Sequence, residues 1–196
     1  MPMILPKSTA LRLLLAVGAA GPAIWLLWAA FVRQDLGADP VKTLQVVTGL
    51  ACLNVLLVTL AITPLRRYLK WNLLGQYRRM LGLSAFAYAV LHLIIYVVFD
   101  QSLDPRLIWD DTIEHPRIAV GALAVLLLTP LAITSTDKMI RRLGKNWGKL
   151  HRLVYPATAL GVLHYLMVQK LDLREGMIFA GVFGLLMLLR LPPKKA

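Results

Sequence analysis

The chain alternates long apolar runs with short polar segments. Six runs stand out, at 11–32, 43–63, 80–99, 118–134, 150–168 and 176–191. Most approach the ~20 residues that an α-helix needs to cross ~30 Å of hydrocarbon. The pattern predicts an all-α integral membrane protein folded as a six-helix transmembrane bundle. The first run holds Gly21-Pro22, where a kink is expected and is tolerable inside a bundle. Lys7 and Arg12 precede that run as they would in a signal peptide, but the run is too long for one and reads as a retained span. The last run is short and ends at Pro192-Pro193. Trp25, Trp28, Tyr68, Trp71, Tyr77, Trp109 and Trp147 fall near run ends, as an aromatic belt would.

The polar segments give an orientation. Lys7, Arg12, the second and fourth loops, and the C-terminal Arg190, Lys194 and Lys195 together hold sixteen of the 22 basic residues. The first, third and fifth loops hold nine of the ten acids, Asp137 being the exception. Short loops rich in Lys and Arg stay in the cytoplasm, so both termini are expected there. The acidic third loop, 100–117, is then expected on the outer face of a bacterial inner membrane.

Composition narrows the classes. The 196 residues are 58% hydrophobic with a mean hydropathy of +0.66, and membrane lipid is the expected surrounding. The net charge of +12 invites a nucleic-acid reading. That reading is rejected, because the charge sits in short segments between apolar runs and reads as topology. No loop exceeds about 18 residues, which leaves no room for a nucleotide-binding domain. A single domain over 1–196 is expected. Cys52, the one cysteine, reads as a small buried hydrophobe.

Two of the four histidines, His92 and His164, fall inside runs, where ionisable side chains are costly and mark functional sites. Each lies roughly 18–21 Å along its helix from the cytoplasmic end, at 1.5 Å per residue. Equal depth lets two imidazoles sit on opposite sides of one flat macrocycle. Residues 85–92 read AFAYAVLH and residues 157–164 read ATALGVLH. Ala85 and Ala89, then Ala157 and Gly161, share a face with the histidine and leave room for a planar ligand. Small-residue helix packing and neutral hydrogen-bonded histidines are the alternatives. Haem ligation by the pair accounts for more of the pattern. His151 precedes His164 by 13 residues, a turn of about 220° on a straight helix, so the two do not share a face unless Pro156 changes the phase. The equivalent position on the other helix is Arg79. A second haem or a relay at His151 and an interfacial histidine both remain open. Arg78 or Arg79 could pair with haem propionates or a flavin phosphate. His115 reads as a solvated loop residue.

The segments LGADPVK at 36–42, ITPLRRY at 62–68, RRMLGL at 78–83, ITST at 133–136 and LGKNW at 143–147 join those histidines in a wider resemblance. So do LHL at 91–93 and the LH, VY and HYL pieces of 150–166. Over nearly its whole length the chain resembles the MsrQ (YedZ) family. These are haem-binding membrane subunits of the bacterial periplasmic protein-methionine-sulfoxide reductase system, within the wider ferric reductase-like transmembrane group. The resemblance implies one haem b or two, with ligands among His92, His151 and His164, and FMN as a further cofactor. It implies electrons from a cytoplasmic flavin reductase or quinone, delivered to MsrP, a periplasmic molybdopterin enzyme that reduces methionine sulfoxide. No substrate-converting site is expected in the chain itself. Arg79 departs from the group's usual two histidines per helix. A ferric or cupric reductase built on the same pair is the alternative function. A non-redox assembly factor or transporter is a third, and the lack of acidic residues within the runs counts against a proton-conducting one.

Overall fold

The computed structural model describes residues 7–169 and 172–191, and all regular structure among them is helical. The expectations placed on Pro192, Pro193, Lys194 and Lys195 lie outside the described residues. Helix α1 spans Lys7–Trp28 and continues as a π turn over Ala29–Arg33. Helix α2 spans Pro40–Tyr68, and α3 spans Arg78–Ile95 with a π turn over Tyr96–Asp100. Then come α4 (Pro105–Glu114), α5 (Pro116–Ile133), α6 (Asp137–Leu143), α7 (Lys145–Leu150), α8 (Val154–Val168) and α9 (Arg174–Leu188).

The protein is a multi-pass membrane protein. Four helical stretches are long and apolar enough to cross a bilayer: Thr9–Arg33, Pro40–Tyr68, Asn72–Asp100 and Pro116–Ile133. Helices α8 and α9 coincide with the fifth and sixth predicted runs but have only fifteen residues each. The acidic third loop is not irregular, because α4 fills most of it. Asp104 caps that helix by accepting from the Arg106 N–H, and Pro105 follows at the first helical position, where its missing N–H costs nothing. Thr136 starts α6 in the same way through the Met139 N–H.

The core sits between two helix pairs. Helix α2 packs most extensively on α3, and α5 on α8, while α3 meets α5 and α2 meets α8. Leu56, Leu60, Leu81, Ala85, Leu128 and Ala157 meet in the buried centre. Helix α1 leans on α2 and α3, and α9 on α2 and α8. Two prolines inside helices are each met by a side chain. Beside Pro22, the Tyr88 hydroxyl enters the α1 ladder, donating to the Ala19 carbonyl (2.7 Å) and accepting the Ala23 N–H (3.1 Å). Pro64 has no N–H for the Leu60 carbonyl four residues earlier. Arg190, just past α9, donates to that carbonyl through Nη2 and to the Tyr155 hydroxyl through Nη1 (2.7 Å). Trp25, Trp28, Tyr68, Trp71 and Trp109 are exposed, but Tyr77 is buried and so departs from the predicted belt. Trp147 is also turned inward, and its indole N–H donates to the Thr134 carbonyl at the end of α5.

Candidate functional site

His92 projects from α3 and His164 from α8 into a cavity of about 370 Å³ between the two helix pairs. Their ring centroids are 6.1 Å apart and their planes cross at 81°. Each ring is held the same way. His92 Nδ1 lies 3.0 Å from the Gln45 carbonyl on α2, and His164 Nδ1 lies 2.7 Å from the Arg117 carbonyl on α5. A carbonyl only accepts, so each Nδ1 carries the proton and each Nε2 keeps its lone pair. In both cases the carbonyl stands 47 residues before its histidine. A glycine backs each ring. A Cβ on Gly49 would lie 3.2 Å from His92, and one on Gly121 would lie 2.8 Å from His164. The neighbouring helices therefore approach the rings closely enough to clamp them.

This arrangement suits a metal held between the two rings. Imidazoles bound on opposite sides of one metal, at metal–nitrogen distances of about 2 Å, have centroids about 6 Å apart. A backbone carbonyl on the far nitrogen is the usual way to fix tautomer and ring orientation in such a ligand. Among the described residues no third His, Cys, Asp or Glu joins the pair to form a metal cluster. A metal here would draw its other ligands from a cofactor, and the apolar cavity walls suit a flat organic ring.

The other expected residues divide. Ala89, Ala157 and Gly161 line the cavity. Ala85 does not line it but lies fully buried in the core. Cys52 lines the cavity wall and is not fully buried. His151 is separate from the pair. It sits in a 3-10 turn over His151–Leu153, because Pro156 has no N–H to continue an α-helical ladder back to Arg152. Its ring stacks on Trp147 at 3.8 Å and its Nδ1 lies 3.1 Å from the Trp147 carbonyl. Its Nε2 is buried without a hydrogen-bond partner. Arg190 Nε is the other such buried atom among the described residues. Arg78 lies near enough to both side chains for its charge to bear on each. Arg79 instead pairs with Asp137 at 2.5 Å on the exposed side of the bundle. His115 is more than a solvated loop residue, because its Nδ1 lies 2.7 Å from Asp111 on α4. Asp111 also accepts from Tyr96 and Gln101, each at 2.9 Å, and lines the cavity beneath α4.

Residue types alone concealed Gln45, Gly49, Arg117 and Gly121. The signal was present as an extension of the repeat. The 85–92 and 157–164 segments are 72 positions apart, and the same offset takes Gln45 to Arg117 and Gly49 to Gly121.

The ferric reductase like transmembrane component family matches residues 46–162, which run from within α2 to within α8. A protein of Rhodospirillum rubrum is 48% identical over 183 residues, 93% of this chain and 88% of its own length. It is named protein-methionine-sulfoxide reductase heme-binding subunit MsrQ. The chain belongs to the MsrQ family. Family members of the same name in Xanthomonas axonopodis pv. citri and Brucella anthropi are 44% and 42% identical, over 87% and 95% of this chain and 78% and 83% of their own lengths. Such coverage takes the MsrQ likeness through α1 and α9, beyond the helices that surround the histidine pair.

Proposed function

We propose that the chain is a haem b electron-transfer subunit of a bacterial inner membrane, with six spans and both termini in the cytoplasm. It would take electrons from a cytoplasmic flavin reductase or quinone and pass them to a periplasmic molybdopterin subunit of the MsrP kind. The reading rests on one observation above all. Two imidazoles face each other at 6.1 Å, each with Nδ1 given to a carbonyl and Nε2 free. The family supplies the rest, since its members are named as haem-binding subunits of protein-methionine-sulfoxide reductase.

In this reading His92 and His164 would hold the haem, each through its free Nε2. Bound haem would supply a one-electron centre. Held by two neutral imidazoles, such a group would supply electron transfer rather than oxygen chemistry. The Gln45 and Arg117 carbonyls hold the Nδ1 protons and keep the rings from turning. Ala89, Ala157 and Gly161 leave the space in which the ring system lies. The inner group of Arg78, His151, Tyr155 and Arg190 is the entry side. Its two buried unpartnered atoms favour a further ligand, either a second haem at His151 or an FMN phosphate held by the arginines. Arg79 is already engaged by Asp137 and is the weaker candidate of the two.

The test is a reduced-minus-oxidised absorbance spectrum of the purified protein, with haem counted per chain. A b-type spectrum that His92→Ala or His164→Ala abolishes is the expected result. A spectrum unchanged by both variants would sink the reading. The ferric reductase name of the matching family favours one second reading, direct delivery of electrons to ferric chelates. Reduction of ferric citrate at the same rate with and without the periplasmic subunit would favour it.

A further inference from the structure

The cavity that holds His92 and His164 opens outward beneath α4. Gln45, Asp100, Asp111, Thr112 and Arg117 are among the polar residues that line it. Most of them are already engaged. Asp100 accepts from Gln45, and Asp111 accepts from Tyr96, Gln101 and His115. The Thr112 hydroxyl donates to the Ile108 carbonyl at 2.6 Å. Arg117 differs. Its carbonyl serves His164, yet its guanidinium has no ion pair or hydrogen bond among the described residues. The side chain is half-buried and lies near enough to His164 for its charge to bear on that ring. A half-buried cation facing an apolar cavity is costly unless an anion joins it.

We propose that Arg117 is the anchor for a haem propionate, holding the carboxylate edge of the cofactor toward the outer mouth of the cavity. The inference rests on the haem reading above and adds the residue that orients the group. A guanidinium presents a fork of donors that a carboxylate meets with two parallel hydrogen bonds. Arg117 is the one cation among the residues that line the cavity. The basic side chains expected from the sequence to meet propionates, Arg78 and Arg79, do not line it. One residue thus secures both sides of the site, the ligand ring through its backbone and the cofactor edge through its side chain. The acids Asp100 and Asp111 flank the same mouth, and their donors keep them from competing for Arg117. A positive charge beside the propionate also stabilises the reduced, less positive form of the centre, so it raises the midpoint potential.

The experiment compares detergent-purified holoprotein with Arg117→Gln, Arg117→Lys and Arg106→Gln. Arg106 is an exposed arginine on α4 that takes no part in the cavity. Transfer of haem to apomyoglobin and a potentiometric titration are measured on each. Arg117→Gln should lose haem at least fivefold faster and titrate at a lower potential. Arg117→Lys should recover most of the potential and less of the retention, because an ammonium keeps the charge but not the fork. Arg106→Gln should match the parent. Wild-type retention and potential in Arg117→Gln, or an equal fall in Arg106→Gln, would overturn the proposal. If the Gln variant does not fold, parent protein carrying haem dimethyl ester decides instead. Esterification should reproduce the fast loss, and unchanged retention would reject the pairing. Parent protein that binds no haem at all would instead remove the functional reading on which this one stands.

Discussion

The α2–α3 pair and the α5–α8 pair can be laid over one another residue by residue. Gln45 and Arg117 lend carbonyls, Gly49 and Gly121 let the helices approach, and His92 and His164 project into one cavity. What the two halves share is the grip on the rings. They differ where that grip ends. At the end of the cavity beneath α4, Gln45 is neutral and bonded to Asp100, whereas the charged Arg117 side chain has no partner among the described residues. At the opposite end Arg79 is ion-paired at an exposed position, whereas His151 is stacked on Trp147 with a buried nitrogen that has no partner among the described residues. Within the outer shell, Thr48 adds a contact to His92 at 3.4 Å, and its counterpart Val120 cannot. The lesson is that ligation is built symmetrically while the approaches to it are not.

The comparison can be broken most severely at the glycines. Gly121→Ala places a Cβ 2.8 Å from His164, which forces the ring or helix to shift at about 1–3 kcal/mol. Gly49→Ala meets His92 at 3.2 Å and should fall at the low end of that range. Haem content per purified chain should therefore drop severalfold in the first and only slightly in the second. Equal losses would contradict the different clearances of the two rings. The inner asymmetry is probed by His151→Ala against Arg79→Ala. Reduction by a cytoplasmic-side donor should slow about tenfold or more in the first and less than twofold in the second, read by stopped-flow absorbance. The spectrum of the outer pair should persist in both. The smallest effect is expected for Thr48→Val, which gives α2 the residue α5 already has. His92 keeps its carbonyl, so the spectrum should not change. Thermal stability in detergent should fall by about 0.6 kcal/mol, the usual size of a side-chain hydrogen bond between membrane helices.

The four long apolar helices and the approach of His92 to His164 were legible because apolar run length and residue depth are properties of the residues themselves. The face carrying Ala89, Ala157 and Gly161 followed from helical periodicity. Ala85 did not, since α3 turns that position into the core. The carbonyls of Gln45 and Arg117 could not be picked out by residue type, because every residue carries one. Only the 72-residue offset pointed to them. Helix α4 was overlooked because charge was read as loop, although Asp104-Pro105 announces a helix start. Tyr77 and Trp147 sit near run ends like belt residues, yet one is buried and the other stacks on His151. Position along the chain says where an aromatic lies in depth, not whether it faces lipid or protein.

The division of labour between the helix pairs has a consequence for assembly. Neither hairpin contains both imidazoles, so the 6.1 Å approach exists only once the two have docked. Each ring can be clamped by its own partner helix beforehand, which makes two finished half-sites that wait for one another. Uptake of colour by a nascent chain would then report the meeting of the hairpins rather than the folding of either. A lesion at the contacts of α3 with α5, or of α2 with α8, would leave both hairpins intact and still yield a pale protein.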